Sequence, residues 1–117
     1  MQVDVTVLLR HKVKLPKTAV CRVEVRDVTY LDAPSKTLSV KKAPVAGIVD
    51  ETVLKTRLKV PSAGPGARNL NVWAHLSMTG VERIQVGDYV TTVAYPIAPG
   101  VGTDRVIVEL QRVGPLA

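Results

Sequence analysis

The stretch LNVWAHLSM, residues 70–78, carries an apolar side chain at every second position from Leu70 to Met78. Successive side chains of a β-strand point to opposite faces of its sheet, so a period of two is typical of a half-buried strand. The stretch therefore predicts a strand with one face in the core. Trp73 and His75 occupy the intervening positions, and both are expected to point outward, His75 into solvent.

The same alternation recurs along the chain, between segments rich in glycine and proline. It predicts seven strands, at about residues 2–9, 21–26, 37–42, 54–60, 70–78, 89–95 and 105–112. Seven short strands separated by turn signals predict an all-β fold, a seven-stranded antiparallel β-sandwich in a single domain of residues 1–117. A twisted barrel is the alternative architecture. The segment around 43–50, APVAGIVD, reads as a connector.

Composition favours strands and offers little material for catalysis. The 117 residues include no phenylalanine, one tryptophan and one cysteine, and valine dominates the apolar positions. Valine fits a pleated, half-buried surface. Cys21 lies in an apolar stretch and is expected to be a buried hydrophobic residue. His11 and His75 have no metal-ligand spacing, and no nucleotide-binding or nucleophile motif occurs, so we expect no enzyme, no catalytic residues, no metal and no cofactor.

The stretch GVERIQVGDYVTTVAYPI, residues 80–97, is interpreted as a corner between strands. Gly80 allows a positive φ, Asp88 follows Gly87 and can accept hydrogen bonds from loop amides, and Pro96 is expected to end pairing. A calcium loop needs oxygen ligands at alternate positions. Apolar residues occupy those positions here, which argues against a cation site.

Charged residues define candidate partner-binding surfaces. The formal net charge is +6. Lys55, Arg57 and Lys59 share the outer face of one predicted strand, and Arg22, Glu24 and Arg26 share that of another. If the two strands were neighbours, they would form one mostly positive face. Together with Trp73 and His75, the set Lys55, Arg57 and Lys59 gives the candidate sites for a protein partner.

Two longer segments resemble the YscW/YbaY-type lipoprotein domain family. LPKTAVCRVEVRDVTYLDAPSKTLS, residues 15–39, is similar to its opening motif, and NVWAHLSMTGVERIQVGDYVTTVAYPI, residues 71–97, is similar to its second half. The residues that match the opening motif are Leu15, Pro16, Ala19, Val23, Val25, Asp27, Val28, Asp32, Ala33 and Pro34. The resemblance implies a β-sandwich of transthyretin-like shape, mostly found in periplasmic lipoproteins, one branch of which comprises secretion pilotins that bind the secretin.

Within that resemblance, Asp27 and Asp32 are interpreted as structural acids. Each can accept hydrogen bonds from backbone N–H groups of its own loop, and Pro34 is a turn proline. We likewise expect a structural role, and not a binding or catalytic one, for three residues of the corner: Gly80, Gly87 and Asp88.

The first residues do not follow the pattern of a signal peptide, and no segment reaches the length of a membrane-spanning helix. The chain as written is expected to be cytoplasmic, or periplasmic or in the cell envelope if an export signal has been removed. Cys21 lies within a strand and is not expected to carry a lipid.

The sequence leaves several function classes open. The main hypothesis is a non-enzymatic interaction module that binds a protein partner through a sheet edge or face, possibly as a chaperone. The alternatives are a self-associating structural protein, such as a homodimer formed by edge strands, and a small-molecule-binding domain or hydrolase. Scarce aromatic residues argue against a specific nucleic-acid partner.

Overall fold

The structure, a computed structural model, describes residues 1–29, 35–61, 69–98 and 103–114. These residues form nine strands and contain no helix. The strands are β1 (Gln2–Leu15), β2 (Val20–Asp27), β3 (Lys36–Pro44), β4 (Gly47–Lys59), β5 (Leu70–Ser77), β6 (Tyr89–Val90), β7 (Pro96–Ile97), β8 (Thr103–Glu109) and β9 (Gln111–Arg112). The all-β prediction is confirmed.

The strands form two sheets, and the predicted pairing is wrong in one respect. The first sheet has the order β4-β1-β8, and the second has the order β3-β2-β5-β6-β9, with β7 also paired to β5. Strands β1 and β8 run parallel, whereas all the other pairs are antiparallel. Alternation of side chains reveals which face of a strand is buried but not which strand lies beside it, so the parallel pair could not be read from the sequence.

A core made largely of valine lies between the two sheets. Strand β1 contributes every second residue from Val3 to Leu9, and each of these is at most 1% exposed. Strand β2 contributes Cys21, Val23 and Val25, all fully buried. Inward residues of both sheets belong to one continuous buried cluster. The predicted burial of Cys21 is confirmed, and burial raises the pKa of its thiol to about 12.

Most of the segment predicted as a connector is strand in the structure, and only Val45 and Ala46 lie outside β3 and β4. Strand β3 continues to Pro44 and β4 begins at Gly47, pairing with the last residues of β1. The register between β1 and β4 shifts twice, and Glu51 lies nearby with a φ of 82°. Such a φ is uncommon outside glycine, and bulges of this kind interrupt the two-residue period. The interruption explains why the pattern missed the first half of β4.

The segment after the corner also differs from the prediction. Only Tyr89–Val90 and Pro96–Ile97 are strands where a single strand over 89–95 was expected. Pro96 does not end pairing, because it begins β7 and lies opposite Asn71 on β5. A proline at the first position of a strand is compatible with pairing. Both short strands pair with β5 and fix its position in the middle of the second sheet.

Candidate functional site: the arginine–tryptophan face

The outer face of the larger sheet presents a tryptophan between two arginines. Trp73 on β5 lies opposite Glu24 on β2, and Arg22 and Arg26 lie two residues to either side of Glu24 on the same face. The guanidinium carbons of Arg22 and Arg26 lie 5.1 Å and 4.1 Å from the centroid of the Trp73 ring system. Both distances are within the range of cation–π contacts. We call the surface formed by Arg22, Glu24, Arg26 and Trp73 the arginine–tryptophan face.

Glu24 holds the two arginines over the indole. Its carboxylate lies 3.1 Å from Nε of Arg22 and 3.3 Å from Nε of Arg26, and it accepts a 2.9 Å hydrogen bond from the Thr37 hydroxyl. Glu24 is only 6% exposed. Strands β3 and β2 thus meet at an acid that solvent barely reaches. Nε of Arg26 donates a hydrogen bond to Glu24, whereas Nε of Arg22 forms an ion pair with Glu24 but no hydrogen bond among the described residues.

Trp73 is half-buried rather than openly exposed. Among the described residues, Arg22 and Arg26 lie over its ring system, and the His75 ring lies 5.8 Å from it, centroid to centroid. Period-two alternation placed the tryptophan on the outer face. It could not show that the arginines of the adjacent strand would lie across it, because that depends on the β2–β5 register.

The prediction that His75 is a solvated surface residue is wrong. His75 is 1% exposed, and its Nε2 lies 2.9 Å from Oδ2 of Asp88. Asp88 is equally buried, and its carboxylate also accepts hydrogen bonds of 3.0 Å from the backbone N–H groups of Met78 and Gln85. His75 does leave the sheet on its outer side, but the corner of residues 78–88 folds over that side and covers it.

Asp88 is the residue that ties this corner to the sheet. Burial alone would raise the pKa of its carboxyl group, but the hydrogen bonds from the Met78 N–H, from His75 and from the Gln85 N–H outweigh burial, so the pKa lies below its ordinary value. The negative charge is therefore part of the folded corner. The expectation that Asp88 accepts hydrogen bonds from loop amides is confirmed. The sequence did not reveal its further partner, His75, which lies thirteen residues earlier in the chain.

Two glycines shape the corner. Gly80 has a φ of 82° and Gly87 a φ of 96°. A Cβ atom at Gly80 would lie 3.1 Å from the carbonyl oxygen of Thr18, whereas one at Gly87 would meet open space. The Thr18 hydroxyl in turn donates a 2.6 Å hydrogen bond to the Met78 carbonyl. The corner therefore rests directly on the turn between β1 and β2.

The corner also contacts the arginine–tryptophan face. Glu82 forms ion pairs with Lys42 on β3 and, at 3.6 Å, with Arg22. A cavity of about 40 Å³ remains beneath the corner, lined in part by His75 and by Ser77, whose hydroxyl has no hydrogen-bond partner among the residues described. That volume is enough for a few water molecules and far below that of a pocket for a small organic ligand.

The second candidate set lies on the other sheet. Lys55, Arg57 and Lys59 are exposed on the outer face of β4, where Arg57 forms a two-point ion pair with Asp4 at 2.6 Å and 3.1 Å. Arg22 and Arg26 belong to the larger sheet, on the opposite side of the core. The two basic strands are therefore not neighbours, and the candidate partner-binding residues divide between two separate surfaces.

The loop after β2 is described only in part. Asp27 accepts a 3.0 Å hydrogen bond from the backbone N–H of Thr29 and a 2.5 Å bond from its hydroxyl. The hydrogen bonds from Thr29 hold the pKa of Asp27 below its ordinary value. Asp32 and Pro34 lie outside the described residues.

The described residues bring no catalytic set together. His11 is exposed on β1 and packs against Tyr89 with ring centroids 6.2 Å apart. Cys21 is buried with a raised pKa, which disfavours the reactive thiolate. Within residues 1–29, 35–61, 69–98 and 103–114, no group of three His, Cys, Asp or Glu side chains could hold a metal ion.

Comparison with solved structures shows a shared fold. The chain is similar to an alternative pilotin from the type II secretion system of Vibrio cholerae, with a TM-score of 0.71 and 20% sequence identity over 96% of this chain and 97% of that one. Among curated proteins, no sequence match is found. In the part of the chain that the structure describes, no helix is long and apolar enough to cross a membrane.

Family comparison agrees with the resemblance drawn from the two sequence segments. Residues 1–96 match the family described as type III secretion system lipoprotein chaperone (YscW), which is most of the 117-residue chain. The match includes β1 to β6 and ends at the first residue of β7, and hence it includes the whole arginine–tryptophan face and the corner. The chain belongs to the YscW family of type III secretion system lipoprotein chaperones.

Proposed function

We propose that this chain is a non-enzymatic, chaperone-like module that binds a segment of a secretion-system protein on its arginine–tryptophan face. The observation that carries the proposal is the half-buried Trp73 held between the guanidinium groups of Arg22 and Arg26. Tryptophan and arginine are the residues most often found at the energetic centre of protein interfaces. Here both are fixed in place before any partner arrives, which lowers the entropy lost on binding.

An apolar rim beside this face supports the same proposal. Val81, Ile84 and Val86 are all exposed on the corner, at 45%, 44% and 68%. The corner is joined to the face by the contacts of Glu82 with Arg22 and Lys42. These apolar side chains lie next to a cationic, aromatic centre. The combination suits a partner segment with both apolar and acidic residues, because its apolar residues would contact the corner and its acidic residues would contact the arginines.

Family membership supports a protein partner rather than a reaction. The family is described as a lipoprotein chaperone and the structural relative as a pilotin, and neither description is that of an enzyme. The secretin is the first candidate partner, because the resemblance of residues 15–39 and 71–97 implies it. The transthyretin-like arrangement implied by the same resemblance belongs to this proposal as well.

The family also favours the cell envelope as the location. Its description as a lipoprotein chaperone is consistent with the exported alternative and gives no support to the expectation of a cytoplasmic chain. We therefore propose that the partner is met in the envelope.

Affinity capture on the immobilised chain tests the proposal, with the secretin of the same source as the candidate. Trp73→Ala is expected to lower capture by at least tenfold, since truncating a central tryptophan costs on the order of 2 kcal/mol or more. Val93→Ala is the control, because Val93 is exposed at 62% and lies outside the face. Equal capture by both variants, each with an unchanged unfolding midpoint, would remove Trp73 from the binding site.

The alternative functions receive less support from the geometry. A small-molecule site at His75 would need more room than the 40 Å³ beneath the corner. Self-association through β3 would bring the exposed Lys36, Lys41 and Lys42 of two copies together, an arrangement typical of protected edge strands. Sedimentation of the isolated chain tests the second alternative, which predicts a mass that rises with concentration.

A further inference from the structure

The outer face of the smaller sheet gathers cations that the proposed protein site does not use. Across β4, β1 and β8, the register places Lys55 opposite Thr6, Lys59 opposite Gln2, and both Arg57 and Arg105 opposite Asp4. These positions point outward, because the residues between them on β1 are buried in the core. We call the surface formed by Lys55, Arg57, Lys59 and Arg105 with Asp4 the basic face. Four cations and one acid give it a net charge of 4 − 1 = +3.

Exposed isoleucines accompany these cations. Ile107 is 63% exposed and lies opposite Thr6, directly across β1 from Lys55. Ile48 is 68% exposed farther along β4, opposite Lys14. Leu8 lies between them on β1 and is half-buried. Exposure of a large apolar side chain to water is unfavourable. An isoleucine exposed among cations therefore favours a partner that is both anionic and apolar.

A trough runs across the middle of the basic face. It has a volume of about 310 Å³ and is lined by Thr6 and Thr56, by Lys55 and Arg105, and by Asp4 and Ile107. The short Thr6 side chain leaves this space between longer neighbours on the adjacent strands. The two cations and the outward Thr6 hydroxyl provide donors from which a phosphate group can accept hydrogen bonds, whereas Thr56 lies opposite the buried Val5 and is not counted among them.

We propose that the basic face docks onto an anionic lipid bilayer, with lipid phosphate groups in the trough and Ile107 in contact with the acyl chains. A bilayer surface is negative, flat and apolar just below its headgroups, and an open three-stranded sheet with interspersed cations and isoleucines complements each of these properties. Lysine and arginine can keep their charged ends at headgroup level while their stems contact apolar material.

An acidic polymer is a poorer complement to this face. Nucleic acid binding by a flat sheet relies on aromatic side chains on which bases stack. Trp73, Tyr89 and Tyr95 belong to β5 and to the β6–β7 region of the other sheet. Docking by the basic face would leave the arginine–tryptophan face directed away from the bilayer and accessible to a protein partner, so the two surfaces can act independently.

Vesicle flotation with the full chain tests the proposal. We expect binding to phosphatidylcholine vesicles that contain about 30% phosphatidylglycerol, little binding to phosphatidylcholine alone, and loss of binding as salt rises from about 0.05 M to about 0.5 M. Lys55→Glu with Lys59→Glu is expected to weaken binding on the order of 30-fold or more, given the contribution of each basic residue near an anionic surface. Both lysines are exposed, so this variant is expected to fold.

Lys36→Glu with Lys41→Glu is the matched control. It makes the same change in net charge on β3 of the other sheet, where both lysines are exposed. This control is expected to retain most of the binding to the anionic vesicles. Ile107→Ser leaves the net charge unchanged and is expected to lower the affinity for these vesicles several-fold. An equal loss in the two lysine variants would overturn the proposal, as would equal binding to neutral vesicles. Retention on heparin that exceeds vesicle binding and survives Ile107→Ser would assign the face to acidic polymers instead and also overturn it.

Discussion

Replacing Asp88 by asparagine tests the structural role of the corner most sharply. The carboxylate is 1% exposed and takes part in three hydrogen bonds, with His75 and with the backbone N–H groups of Met78 and Gln85. Asparagine has nearly the same shape but a single acceptor oxygen. Its amide nitrogen would face a backbone N–H group that now donates a hydrogen bond to the carboxylate, so at least one partly buried N–H group would lose its acceptor.

The expected cost follows from these contacts. A hydrogen bond to a charged group contributes about 1.5–3 kcal/mol, and a buried donor left without a partner costs about 1–3 kcal/mol. Since asparagine can keep some of the bonds, we expect the free energy of unfolding to fall by about 2–4 kcal/mol. That is a large part of the stability of a domain of this size, about 5–15 kcal/mol.

Urea denaturation followed by circular dichroism measures this change. With a urea dependence of about 2 kcal/mol per molar, in the middle of the usual range for small domains, the midpoint of Asp88→Asn is expected to fall by about 1–2 M. Asp50→Asn is the control, because Asp50 is exposed on β4 and its replacement should leave the midpoint unchanged.

The pH dependence supplies an independent check. The pKa of Asp88 is lower in the folded chain than its ordinary value of 3.8, so its stabilising contribution is fully present above about pH 4 and is lost as the pH falls through the folded pKa. The difference in unfolding free energy between the wild type and Asp88→Asn should therefore shrink as the pH falls below about 4. A midpoint within error of the wild type, or a difference that does not depend on pH in the acid range, would refute the role assigned to Asp88.

Two further predictions concern the turn under the corner and the core. Gly80→Ala should destabilise the chain more than Gly87→Ala in urea denaturation, because both glycines have a positive φ, costing about 1–2 kcal/mol for alanine, but only at Gly80 would the new Cβ also press on the Thr18 carbonyl oxygen. Equal costs would contradict the close contact at Gly80. Cys21 should react with a thiol reagent at neutral pH only after denaturant is added, because its thiol is buried and its pKa is raised to about 12. Rapid labelling of the native chain would show that the core opens at β2.

Side-chain alternation predicted most of the regular strands and the face of each that enters the core. Residues 70–78 are the clearest case, since β5 covers Leu70–Ser77 and buries Leu70, Val72, Ala74 and Leu76 as expected. The pattern failed where the backbone departs from regular pleating. Glu51 and the register shifts hid the first half of β4, and the continuation of β1 to Leu15 was missed for the same reason.

The candidate site could be predicted only in its separate parts. Alternation gave the direction of Trp73, Arg22 and Arg26 but not their contact, which depends on the β2–β5 register. It gave the direction of His75 but not its burial, because burial comes from a corner that folds back over the sheet. The order Gly87–Asp88 was a local signal for a loop whose amides bond to the aspartate. The sequence around Asp88 and the sequence around His75 contain no signal that these two side chains meet.

The fluorescence of Trp73 tests whether a protein partner contacts this residue. Trp73 is the only tryptophan in the sequence, so the emission of the chain reports on this one position. When a tryptophan-free segment of the captured partner is added, we expect a saturable shift of the emission to shorter wavelength, because the partner removes the indole from water. Binding that sedimentation establishes but that leaves the emission unchanged would show that the partner binds elsewhere on the chain and not at Trp73.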